Sequence, residues 1–222
     1  MRSTRRVASP ALLTCLFLAG CSTAPLGASD PSSSGAAAPA ASSSGAAGGA
    51  RSIAVEAGPQ KKYTVQQQPA AGSCHYQYEK GEPLEDPQCT PGAISPAVTQ
   101  ANLKSTICRK GGYTSGVRPS TYVTGKEKKL NAASYGYTGN MGDAEYDHLI
   151  SLQLGGDPND PRNLWVEPAD PGHKKGSGVN NVKDPMETKL HTAVCAGKVT
   201  LAQAQQAIAT DWTTALPTLG LN

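Results

Sequence analysis

The stretch between Ala144 and Trp165, AEYDHLISLQLGGDPNDPRNLW, organises the pattern of apolar and polar positions. Leu149 stands beside Ile150, and Leu152 and Leu154 recur at a spacing of two. That period predicts a half-buried strand over residues 146–154. Gly155-Gly156 and the Asp157-Pro158 and Asp160-Pro161 pairs predict turns. A short return strand follows over 163–166 and ends at Pro168. Ala97, Val98, Ala101 and Leu103 predict a short helix within 95–107. Thr124 with Glu127 forms a capping-box pattern opening a helix that reaches about Ser134. After a polar loop over 167–182, a helix is expected from Lys183 or Asp184 to Ala196. Pro185 is tolerated in its first turn and Asp184 suits its positive end. Gly197 stops it. Leu201, Ala204, Ile208, Trp212 and Ala215 form a 3.6-period stripe over 200–216, a bracing helix. Trp165 and Trp212 read as core, and Tyr135, Tyr137 and Tyr146 as packing beside the hairpin. The fold class expected is α+β.

The N-terminal quarter has a different pattern. Arg2, Arg5 and Arg6 precede a short apolar run, too short to span a membrane, that ends in Leu18-Ala19-Gly20-Cys21. Residues 1–20 read as a lipoprotein signal peptide, with Cys21 as the lipidated residue. Residues 21–60 are mostly Ala, Ser, Gly and Pro. They have little to bury and read as a disordered tether with an r.m.s. span of roughly 35 Å. The folded domain is then 61–222. The localisation expected is the outer face of the cell membrane.

Of six cysteines, Cys15 leaves with the signal and Cys21 carries lipid. The remaining four allow three pairings in an exported chain. Cys74–Cys89 and Cys108–Cys195 are favoured. The first flanks a polar segment lacking core residues, and the second ties the chain ahead of the hairpin to the helix expected after it. The chain-entropy model gives about 3 kcal/mol and about 4.6 kcal/mol for the two loops. No Cys-x-x-Cys pair supports zinc.

The chain carries a net charge of +3. Without the arginines and acids before residue 61, 16 basic and 15 acidic residues remain. Bulk charge therefore does not argue for nucleic acid, and a nuclease reading has to rest on a site. Asp147-His148 puts an oxygen ligand beside a base that titrates near neutrality. Strand neighbours point to opposite faces, so one site needs a twist, a bulge or a strand end there. Glu187 and His191, four apart on a helix, share a face as two metal ligands would. Lys126, Lys128 and Lys129 are either a phosphate-contacting patch or a solvated helix face.

The hairpin resembles the His-Asn-His (HNH) nuclease motif, a ββα-metal unit. The wider pattern of VRP, YGYTG, YDHLI, LGGDPNDPRNLW and the KD..E..LH..VC.G helix is similar to small exported lipoprotein members of that family. The resemblance covers roughly residues 74–212, and it implies an HNH-like domain over 61–222 with its core at about 104–216. Ser151 and Gln153 depart from it, standing where Pro and Glu are expected. It implies a metal-dependent endonuclease of low sequence specificity acting on DNA or RNA, with no protein partner implied. His148 would be the general base and Asn163 would fix it. Asp147, with Glu187, His191 or Asn181, would hold a divalent ion, most simply Mg²⁺; Asn180 is a rival ligand. Arg162 and Lys183 would contact phosphate. The alternatives are an inactive surface-binding module of the same fold, or a hydrolase of another phosphodiester such as a wall polymer.

Overall fold

The computed structural model describes residues 51–179 and 181–221. The signal segment, Cys21, the tether up to residue 50, and Asn180 lie outside the described residues. In chain order the elements are β1 (Ala54–Val55), β2 (Gln77–Glu79), β3 (Glu82–Leu84), β4 (Ala93–Ile94), α1 (Thr121–Ser134), β5 (Glu145–His148), β6 (Leu164–Glu167), α2 (Lys183–Cys195), α3 (Leu201–Thr210) and α4 (Ala215–Thr218). The fold is α+β. The strands form three separate two-stranded ladders: β1 parallel with β4, β2 antiparallel with β3, and β5 antiparallel with β6. A lone two-stranded ribbon is marginal in water. The β5–β6 pair is supported from α1, where Asn131 bonds the free edge of β6. Its Oδ1 accepts from Val166 N at 2.7 Å and its Nδ2 donates to Leu164 O at 3.4 Å.

The first strand is shorter than the alternation predicts. β5 ends at His148, and a 3-10 turn over Leu152–Leu154 replaces the rest. Leu149, Ile150, Leu152 and Leu154 are all buried, so their spacing records burial on all sides, not one strand face. Leu149, Ile150 and Leu154 join α2, α3 and α4 in the main core through Leu190, Val194, Ile208 and Ala215. Burying each such side chain is worth about 1.5–3 kcal/mol. Trp165 is also fully buried, packed against Tyr135 and Cys74. Tyr137 and Tyr146 pack on the small cluster of Ala132, Ala144 and Val166.

Other boundaries move for local reasons. α1 starts at Thr121 after an extended Ser120. The expected capping box does not form: Thr124 Oγ1 donates to Ser120 O, and Glu127 accepts from Gln66 N at 2.7 Å. In 95–107 the chain forms a 3-10 helix over Gln100–Ser105. There the Asn102 side chain bonds both Thr99 N and Ala97 O. The bracing helix breaks at Asp211, whose backbone is extended and whose carboxylate accepts from Thr213 N at 2.9 Å. A 3-10 turn over Trp212–Thr214 then leads into α4.

The expected tether boundary at residue 60 is too late. Residues 51–60 are folded: β1 pairs with β4, Arg51 Nη1 meets Glu85 Oε1 at 2.7 Å, and Gly58 N donates to Asp157 Oδ2 at 2.7 Å. Ile53 packs on the main core, which gives this segment the apolar anchor that the Ala/Ser/Gly stretch lacks.

The cysteines pair as Cys74–Cys89 and Cys108–Cys195, with Cα–Cα distances of 5.9 Å and 5.6 Å. Two disulfides suit an oxidising, extracytoplasmic compartment. Among the described residues no helix is long and apolar enough to cross a membrane.

Candidate active site

β5 and β6 pair without a bulge: Asp147 lies opposite Trp165 and His148 opposite Leu164. Asp147 and His148 therefore face opposite sides of the hairpin. One face turns to α2 and the other to the first half of α1. The expected single site holding both residues is thus divided.

On the α2 face, Lys183 decides the chemistry. Its side chain is fully buried. Its Nζ lies 2.5 Å from Asp147 Oδ2 and 2.5 Å from Glu187 Oε1, and donates to His148 O at 2.9 Å. Burial works against its ammonium, but Asp147, Glu187 and Glu167 outweigh it and hold its pKa well above the usual value. Burial, followed by repulsion from Asp147, raises Glu145 to about 7 and lifts Glu167 well above the carboxylate range. Burial also takes Glu187 to about 7, against the pull of Lys183.

The metal-ligand set drawn from the sequence does not fit this arrangement. The ammonium of Lys183 fills the space where an ion would bridge Asp147 and Glu187. Asn181 donates from Nδ2 to Glu145 Oε2 at 2.7 Å, and its Oδ1 accepts from Asp184 N at 3.0 Å at the start of α2. His191 lies elsewhere, with Nε2 2.9 Å from Ile107 O and 3.3 Å from Cys195 Sγ. Cys108, His191 and Cys195 come together there, but the disulfide takes up both thiols. Glu187 shares a helical face with Lys183, so the i,i+4 spacing produces an internal ion pair.

Two expected phosphate contacts are also spent. Lys183 is sealed in the interior. Arg162 grips Asp160 through Nε and Nη2 at 2.9 Å and 2.8 Å and also meets Glu56. Asn163 does not touch the imidazole. Its Nδ2 donates to Ile150 O and Asp157 O, both at 3.0 Å, and its Oδ1 accepts from Ile150 N at 3.0 Å. It closes the 150–157 loop on itself. Gly156 is required there, because a Cβ would stand 1.7 Å from Ile150 O.

On the α1 face, His148 is buried, and its Nε2 lies 3.1 Å from Pro158 O. A carbonyl only accepts, so Nε2 carries the hydrogen and Nδ1 is the basic nitrogen. Burial lowers its pKa to about 4, so the ring is neutral at neutral pH. The imidazole helps line a cleft of about 330 Å³ with Arg118, Thr121, Thr124, Lys128 and Tyr146. Arg118 also lines a neighbouring groove of about 670 Å³ together with Lys61, Lys62, Tyr122 and Lys126. No carboxylate lines either space. Arg118 is exposed and makes no salt bridge among the described residues.

The lysine run on α1 divides accordingly. Lys126 lines the groove, whereas Lys128 donates to Met141 O and Ala144 O at 2.6 Å and 2.7 Å. Sequence reasoning missed Arg118, Lys61, Lys62 and Tyr122 as site residues. Arg118 had a signal, the Val117-Arg118-Pro119 piece of the wider pattern. Lys61-Lys62 had none, because its place beside α1 depends on tertiary contacts. Compared with known proteins, the chain matches no family model, no curated protein and no solved structure.

Proposed function

We propose that this chain is an exported phosphodiesterase that hydrolyses nucleic acid, with His148 as the general base. The observation that carries the reading is the α1-side cleft: a buried, neutral imidazole, held through Nε2 by Pro158 O, in a space lined by cations and no carboxylates. Water in the cleft gives its proton to Nδ1 as its oxygen bonds phosphorus. The ester oxygen then leaves and takes a proton from solvent. Arg118, at the junction of cleft and groove, faces the charge that develops on the phosphoryl oxygens. The resemblance of YDHLI and LGGDPNDPRNLW to the HNH hairpin supports the same role for His148. Within that reading β5, β6 and α2 are the ββα unit, and Asn163 serves the base through the loop that carries Pro158. No step is assigned to Mg²⁺, since the ligands expected for it hold Lys183 instead. The lipid anchor at Cys21 belongs to the same proposal and would keep the domain at the membrane surface.

A non-catalytic binding module is the second reading, favoured by the ammonium that fills the Asp147–Glu187 gap. Cleavage of DNA and RNA over a Mg²⁺ titration, with a chelator arm, separates the two. His148→Ala is expected to lower turnover by about 10²–10⁴-fold, the usual worth of a positioned base. Equal rates for wild type and variant would remove His148 from the mechanism. No cleavage of any phosphodiester by the wild type would leave the binding module.

A further inference from the structure

We propose that the groove beside the His148 cleft is a track for single-stranded nucleic acid, with Tyr122 as the platform on which a base stacks. The inference rests on the hydrolase reading for its purpose but not for its geometry. Lys61, Lys62, Arg118 and Lys126 line the groove without a carboxylate among them, in a domain whose basic and acidic residues nearly balance. Cations gathered along one channel are what a phosphate backbone recognises. Arg118 is common to groove and cleft, so a strand lying in the one presents a phosphate to the other.

Tyr122 distinguishes a single strand from a duplex. It lies in the first turn of α1 and is 67% exposed, unlike the tyrosines that pack beside the hairpin. Lys126, one turn on, donates from Nζ to its hydroxyl at 2.7 Å, with Nζ 4.2 Å from the ring centroid. The lysine holds the ring at the groove, and stacking on such a ring needs an unpaired base, which a duplex keeps inside its own stack. The opposite wall is fixed before any ligand arrives. Tyr63 Oη donates to Val117 O at 2.6 Å, and Asn159 Nδ2 donates to Thr64 O at 2.9 Å. Little of the binding energy is then spent on ordering the groove.

The test measures fluorescence anisotropy of labelled DNA and RNA oligonucleotides, single-stranded and as duplexes, with the full chain carrying His148→Ala so that cutting is slowed, and gel analysis of the oligonucleotide after each measurement to show it intact. Single strands are expected to bind more tightly than duplexes of the same sequence. Tyr122→Ala is expected to weaken single-strand binding about tenfold or more, and Tyr122→Phe to keep it. Lys61→Ala, Lys62→Ala and Lys126→Ala should each make the log–log salt slope shallower by about 0.7, the effect of one phosphate contact to a single strand. Duplex binding as tight as single-strand binding would overturn the proposal. So would Tyr122→Ala binding like its parent, or polyphosphate competing as well as the oligonucleotide. Strand-selective binding by a wild type that cuts nothing would sustain the track and sink the hydrolase. Cleavage without strand preference would do the reverse.

Discussion

His148 and Lys183 are both buried, and their environments give them opposite charge states. The imidazole has one carbonyl partner at Nε2, so burial lowers its pKa from the usual 6.5 to about 4. The ammonium has two carboxylates and a carbonyl, so it stays charged. The neutral imidazole is the form a base needs, and a pKa this far below neutrality makes it a weaker proton acceptor than a free histidine. It also has a consequence for stability. Between pH 6.5 and 4 the unfolded chain binds a proton at His148 and the folded one does not. Its contribution is full above 6.5 and is lost as pH falls toward 4, about 3 kcal/mol in all. Glu145 and Glu187, raised to about 7, have the opposite sign, since their protonated forms stabilise the fold at low pH. A difference measurement separates the two. Urea unfolding at pH 7.5, 6, 5 and 4 should show His148→Gln losing less stability on acidification than the wild type. The acid limb of the cleavage profile should fall near 4. Parallel stability curves for the two proteins, or an acid limb near 6.5, would contradict the buried neutral imidazole.

At the scale of elements, the loop between β5 and β6 does what the sequence analysis expects of Asn163 alone. Asn163 ties Ile150 and Asp157, Gly156 allows the close approach, and the loop so closed sets Pro158 O against His148 Nε2. Asn163→Ala leaves buried backbone groups of Ile150 and Asp157 unpaired, at about 1–3 kcal/mol each. It should lower stability by about 3 kcal/mol or more in urea and slow cleavage with it, although it touches neither substrate nor ring. Wild-type stability in that variant would show that the loop closes by other means. The hairpin was legible because turn residues mark it locally: Gly-Gly, Asp-Pro, Asp-Pro. The start and end of α2 were legible from Asp184 and Gly197. The true end of β5 was not, since residues buried on every side mimic strand alternation. Nor was the role of Lys183, because nothing local to the sequence puts its ammonium between Asp147 and Glu187.

For the whole molecule, net charge gave no hint of the groove, because its cations come from the ordered strap ahead of the first disulfide and from α1 with its approach. The strap is held to α1 and its approach by hydrogen bonds, from Tyr63 Oη to Val117 O and from Gln66 N to Glu127 Oε1, and the disulfides brace the rest. The Cys108–Cys195 bridge closes a loop containing α1, β5, β6 and α2, and so every residue lining the His148 cleft, while the Lys61-Lys62 strap lies outside it. The Cys74–Cys89 bridge closes a short loop, and Cys74 packs against Tyr135 and Trp165. A cross-link restricts the unfolded chain more as its loop grows, so the long bridge should contribute about 4.6 kcal/mol and the short one about 3 kcal/mol before strain. Guanidinium unfolding of Cys108→Ala/Cys195→Ala and of Cys74→Ala/Cys89→Ala measures both, since removing both sulfurs of a pair leaves no thiol to exchange. The long-bridge variant should be the weaker fold. His191, whose Nε2 sits 3.3 Å from Cys195 Sγ, keeps its bond to Ile107 O, so the end of α2 stays tied to the chain before Cys108 and part of the loss is offset. If the short-bridge variant proves the weaker, the stabilisation comes from packing around Trp165 and not from restricting the unfolded chain.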